Sequence, residues 1–138
     1  MAWIDKVTKF NFKPGKGEGR FYVFSKQFNA LVDKVNTLLS RGTVTQATSI
    51  TTAVTLNNRA GVVTTVSSTL AANAEAEFTV NNTVVEAGSV IMLTGLYDGD
   101  GHVSLNVKSV SAGSFVVVVS NSGGAALNST VGVQFLVL

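Results

Sequence analysis

The sequence predicts a mainly β protein: a jelly-roll or Greek-key β-sandwich of seven or eight antiparallel strands, preceded by an extended arm and one short α-helix. Three observations predict it. Valine and threonine dominate after Gly42, and β-branched residues favour strands. Apolar and polar residues then alternate with a period of two over several stretches, as on a sheet with one buried face. Turn clusters recur about every eight to twelve residues, the spacing of a sandwich or barrel.

Each strand follows from its own pattern. Ile50, Thr52, Val54 and Leu56 alternate with Ser49, Thr51, Ala53 and Thr55. Asn57-Asn58-Arg59-Ala60-Gly61 is a turn, and Val62–Val66 is the next strand. Ala74, Ala76, Phe78 and Val80 alternate with Glu75, Glu77, Thr79 and Asn81, and Asn81-Asn82 turns the chain. Further strands are expected at Ser89–Tyr97, Val103–Val110, Ser114–Ser120 and Val131–Leu138. Two of these are apolar on both faces. Phe115–Val119 has Val116 and Val118 opposite its core residues, and the last strand has Leu136 and Leu138 on the side of Gln134. A sandwich strand has one inner face, so its outer face should be polar. Val116, Val118, Leu136 and Leu138 are therefore expected to be oligomerisation residues, the alternative being cover by the chain's own loops.

The first 42 residues differ in chemistry. The region 1–41 holds eight Lys/Arg against three Asp/Glu, a net +5, whereas 42–138 is net −3. Seven of the eleven aromatic residues lie between Trp3 and Phe28. Pro14 opens a glycine-rich stretch, Gly15–Arg20, that reads as a connector, and Phe21–Phe24 reads as extended. Ser25 is an expected N-cap. Beyond it, Phe28, Leu31, Val35 and Leu38 fall at steps of three, four and three, a single heptad seam. Gly42 is expected to close this helix in a left-handed cap. The predicted organisation is an anchoring arm over 1–24, an amphipathic helix over 25–41 and a β-sandwich over 43–138. The seam has three possible partners: its own β-domain, a bundle of identical helices about an axis, or another protein. Trp3, Phe10, Phe12, Lys13, Arg20, Phe21, Tyr22 and Phe24 are the expected attachment residues, because aromatics and arginine anchor interfaces. No single-strand or duplex nucleic-acid motif accompanies the basic residues.

Composition narrows the function classes. Charged residues are 13% of 138, against roughly 25% in an average domain, which fits a surface covered by other subunits. There is no cysteine and only one histidine, His102, so thiolate and multi-histidine metal centres are excluded. Asp98-Gly99-Asp100-Gly101-His102 has part of a calcium-loop pattern, but Val103-Ser104-Leu105 begins a strand where further ligands would be needed. A hairpin turn accounts for it. Gly15–Gly19 lacks the Lys-Ser/Thr ending of a phosphate loop, and no acidic pair suggests catalysis. The expectation is a non-enzymatic protein with no cofactor, no metal, no nucleic acid and no membrane among its partners. The start lacks a secretory pattern, and the apolar runs are far short of the ~18 residues that span a bilayer.

The stretch Thr48–Asn82 resembles a domain of structural proteins of tailed bacteriophages. Ala112-Gly113-Ser114-Phe115 and Ala126-Leu127-Asn128 before the last strand extend the likeness to roughly residues 47–138. Gly95–His102 departs from the pattern. These are scaffold residues, so the resemblance implies a setting rather than a chemistry: a virion protein such as a head fibre or capsid decoration protein, often trimeric. The chain is thus expected to act as a homotrimer on a capsid or other virion protein, assembled in the host cytoplasm. The alternative is a fibre tip binding a receptor or host surface glycan, with Asp98–His102 at the contact.

Overall fold

A computed structural model describes residues 19–138 of the chain, which divides into two units, Met1–Ser40 and Arg41–Leu138. The arm residues Trp3, Phe10, Phe12 and Lys13 lie outside the described residues.

In the first unit a helix, α1, spans Gly19–Leu39. It begins before Ser25, so Phe21–Phe24 are helical rather than extended, and Ser25 is a buried residue inside the helix instead of its cap. The earlier start adds Phe24 to the seam one turn before Phe28. The two rings stack with centroids 6.0 Å apart, an i, i+4 pair of the kind that supports a helix. At the other end Ser40 N donates to Thr37 O at 3.3 Å. Gly42 does not cap the helix, because it lies in the first strand.

The second unit is a sandwich of eight strands: β1 (Arg41–Thr45), β2 (Val54–Thr55), β3 (Ala60–Thr64), β4 (Glu75–Asn81), β5 (Ile91–Leu96), β6 (Val103–Ser111), β7 (Ser114–Asn121) and β8 (Gly132–Val137). One sheet has the order β1-β3-β8-β5 and the other β2-β4-β7-β6. Successive strands alternate between the sheets except for the β6–β7 hairpin and its tight turn at Ala112-Gly113. The expectation of purely antiparallel strands is corrected at two places. β1 pairs β3 and β2 pairs β4 in parallel, which the crossing connections allow because each strand returns to its own sheet from the same end.

The alternation seen in the sequence sorts the two faces. Ala76, Phe78 and Val80 on β4 and Phe115, Val117 and Val119 on β7 point inward against Val63, Val133, Phe135 and Val137 of the other sheet. Phe115 and Phe135, one from each sheet, meet edge-on at 5.4 Å, a preferred aromatic geometry. The alternating run Ser49–Leu56 forms only the two-residue β2. Side chains there compete with the ladder. Gln46 Nε2 donates to the carbonyls of Ile50 and Thr52 at 3.1 and 2.7 Å, and the hydroxyls of Ser49, Thr51 and Thr52 bond one another. Gln46 Oε1 is the one buried side-chain polar atom without a partner among the described residues.

Candidate assembly surfaces

The two outer faces of the sandwich have opposite chemistry. On the β2-β4-β7-β6 sheet, β4 presents Glu75, Glu77, Thr79 and Asn81, and β6 presents Ser104, Asn106 and Lys108. Val116 and Val118 sit between them on β7 and are only half exposed. Glu77 and Lys108 reach across this strand and meet at 2.6 Å. Exposed pairs of this kind contribute little stability. They do fill the space over β7 with charge, and nothing in this arrangement favours Val116 and Val118 as an oligomerisation surface.

The β1-β3-β8-β5 sheet is different. Its registered rows run Met92–Leu136–Ala60–Arg41, Thr94–Gln134–Val62–Thr43 and Leu96–Gly132–Thr64–Thr45. Leu138 and Val90 exchange backbone hydrogen bonds at 2.9 and 3.0 Å and extend the apolar rows by one more. Met92, Leu96 and Leu138 are more than half exposed, and Leu136 is exposed at 39%. The only charge in these rows is Arg41, on the edge strand. Two open grooves run over the face, about 380 Å³ beside Arg41, Met92 and Leu136 and about 470 Å³ beside Leu96, Tyr97 and Asp98. Arg41, Thr94 and Gln134 line the first and Thr64, Tyr97, Asp98 and Thr130 the second, and both are open to solvent rather than enclosed. Leu136 and Leu138 were expected here. Val90, Met92 and Leu96 were not, although the apolar run Val90–Leu93 was visible.

On α1 large apolar residues are exposed alongside the polar Lys26, Gln27, Asp33, Lys34 and Thr37. Phe24, Phe28, Leu31 and Leu38 are exposed and Val35 is half-buried. The buried positions, Ser25 and Val32, fall on a stripe one residue round the helix, with the half-buried Asn29 and Asn36. The exposed stripe 24, 28, 31, 35, 38 has strict heptad spacing, the narrow seam of a coiled coil rather than the broad face of a helix packed on a core. Arg20, Phe21 and Tyr22 lie in the first turns of the same helix.

The Asp98–His102 loop is tied to the segment before β8. Asn128 Oδ1 accepts from Asp100 N and Asn128 Nδ2 donates to Asp100 Oδ2, both at 2.8 Å. Ser129 Oγ donates to Asp98 Oδ1 at 3.1 Å, and Tyr97 Oη donates to the Asp100 carbonyl while accepting from Asn128 N. Below this, the side chain of Asn121 is buried and accepts from His102 N and Gly123 N. Gly101 has φ +88°, and a Cβ there would come within 2.9 Å of the Ala125 carbonyl, so only glycine suits the position. No three His, Cys, Asp or Glu residues gather as a metal site among the described residues, and no described helix is long and apolar enough to cross a membrane. Changing Asp98 and Asp100 together to Asn keeps an acceptor at each position. The melting temperature is therefore expected to move by no more than about 3 °C, and added calcium should not raise it in either protein. A calcium-dependent rise in the unaltered chain, lost in the double variant, would identify the loop as a cation site.

No family model, curated protein or solved structure matches the chain.

Proposed function

We propose that the chain is a structural protein of a tailed-bacteriophage virion, a homotrimeric head fibre or capsid decoration protein attached through its N-terminal segment. The observation that carries this reading is the exposed heptad stripe Phe24–Phe28–Leu31–Val35–Leu38. Such a seam is stable in water only when another apolar surface covers it, and identical helices about an axis supply that surface in register. The resemblance of residues 47–138 to phage structural proteins gives the assembly a setting. The low charge content fits a surface spent on contacts between subunits. The fibre-tip reading is less favoured, because the Tyr97 hydroxyl and both loop carboxylates are already engaged by Asn128, Ser129 and the loop backbone.

Attachment is assigned to the aromatic and basic arm. Deleting residues 1–18 is expected to leave the oligomer intact and to abolish its incorporation into purified phage particles, read by protein mass spectrometry of the particles. Full incorporation of the truncated chain would remove the arm from this role. Absence of the intact chain from particles of the phage that encodes it would contradict the virion assignment itself.

A further inference from the structure

We propose that the outer face of the β1-β3-β8-β5 sheet is a second contact between copies of this chain, with Met92, Leu96 and Leu136 packed against the same face of neighbouring copies. The inference rests on the reading of the chain as a self-assembling subunit and names a surface for it that is separate from the helix.

Four observations point to a second copy as the occupant. The first is charge. No carboxylate or lysine stands in the registered rows of this face, and Arg41 lies at its edge. The charges bordering the face are Arg41 on the edge strand and Asp98 beside Leu96, so the centres of identical faces meet without like-charge repulsion. The opposite face carries Glu75, Glu77 and Lys108 and would set like charges together.

The second is the polar middle row, Thr94–Gln134–Val62–Thr43. Threonine hydroxyls and a glutamine amide each donate and accept, so this row can satisfy itself when a copy is laid against it. The apolar rows on either side would then pack against those of the two neighbouring copies around the shared axis.

The third is area. Four strands with five residues each outline roughly 300 Å², and the seam of a 21-residue helix outlines a similar ~300 Å². A stable interface takes ~800 Å² from each partner. Neither surface reaches this alone. The two together outline ~600 Å², the lower end of the ~600–1,000 Å² per partner that stable interfaces bury. Ser40 alone separates the end of α1 from the start of β1. Copies joined by their helices thus hold their sheet faces at high effective concentration, and a modest face suffices.

The fourth is the edge. β6 is blunted by a bulge between Val107 and Ser109 next to Lys108, and β2 has two residues. β5 (Ile91–Leu96) has six, with no charge and no proline, and it borders the apolar face. Such an edge is an aggregation hazard when bare, and cover by an ordered neighbour removes the hazard.

The test is sedimentation velocity of the full chain over a range of micromolar concentrations, comparing the unaltered protein with Met92→Glu/Leu136→Glu and with Val118→Glu on the opposite face. All three altered side chains are on outer faces, and circular dichroism checks that the β-structure is kept. The unaltered chain and Val118→Glu are expected to sediment as the same oligomer. Met92→Glu/Leu136→Glu is expected to weaken association about 100-fold or more. An oligomer indifferent to Met92→Glu/Leu136→Glu overturns the sheet contact and leaves the self-assembly reading standing. Dissociation by Val118→Glu instead places the contact on the other sheet and likewise overturns it. A monomeric unaltered chain contradicts the self-assembly reading, and the sheet contact falls with it. Should the double variant remain oligomeric yet be lost from phage particles, the face binds a different virion protein, and the proposal is wrong.

Discussion

Replacing Leu31 and Val35 together with Asp is expected to reduce the assembly to monomers at low micromolar concentration. The two residues are neighbours on the heptad stripe, and Leu31 is 58% exposed in the single chain, so the cost arises in the assembled state. Each buried aliphatic side chain lost removes about 1.5–3 kcal/mol of burial. Each carboxylate brought into the seam without a partner costs several kcal/mol more or must protonate. Every copy contributes two such changes to one seam. A sandwich with its own core has no reason to unfold in response, so the β-sheet circular dichroism should persist. The weak sheet contact alone should restore association only at much higher concentration. If the variant keeps the mass of the unaltered protein, the helix is not a contact between copies.

Replacing Asn121 with Ala is expected to lower the melting temperature by about 15 °C or more. Its side chain is 1% exposed and occupies the centre of three loops. Nδ2 donates to the carbonyls of Leu70, Ala71 and Ala125 at 3.0, 3.1 and 2.8 Å, and Oδ1 accepts from His102 N and Gly123 N at 3.1 and 3.0 Å. Alanine removes every one of these bonds; Leu70 O and Ala71 O keep Leu127 N and Ala74 N as donors, whereas Ala125 O, His102 N and Gly123 N lose their partner, at about 1–3 kcal/mol each where no water replaces the amide. Two or three such groups amount to much of the ~5–15 kcal/mol that holds a domain together. Water cannot enter freely, because Gly101 and Gly123 bring the loop backbones together; a Cβ on Gly123 would lie 2.6 Å from His102 N. Thermal unfolding followed by circular dichroism reads the effect. A shift below about 3 °C would mean that the three loops are held by other contacts.

Where one side-chain pattern dominates, the fold was legible in the sequence. β4 falls within its alternating run, and β7 and β8 match the expected strands at Ser114–Ser120 and Val131–Leu138 to about one residue, because each has one face in the core. The region 49–56 alternates equally well and is mostly not strand. Its Ser and Thr hydroxyls and the Gln46 amide bond locally, and periodicity does not register that competition. The parallel pairings of β1 with β3 and β2 with β4 join residues far apart in the chain, and no local signal announces them. The early start of α1 was hidden by Gly19 and by the aromatic run Phe21–Phe24, which has strand-like composition until Phe24 is set one turn before Phe28. The outward apolar residues of β8 and β7 have different surroundings. The difference lies in the neighbours: Leu136 stands between Met92 and Ala60, whereas Val118 stands between Glu77 and Asn106. Which strand lies beside which decides whether an outward valine or leucine is bordered by charge or by other apolar residues, and that is a property of topology.

The most direct test of the central claim, that this chain is a self-assembling subunit, is the solution mass of the full unaltered protein by sedimentation equilibrium. The account predicts about three times the 14.4 kDa chain mass, unchanged on dilution through the micromolar range. A single species of chain mass throughout that range would contradict it, because the heptad stripe and the apolar rows of the sheet face would then both be stable in water uncovered.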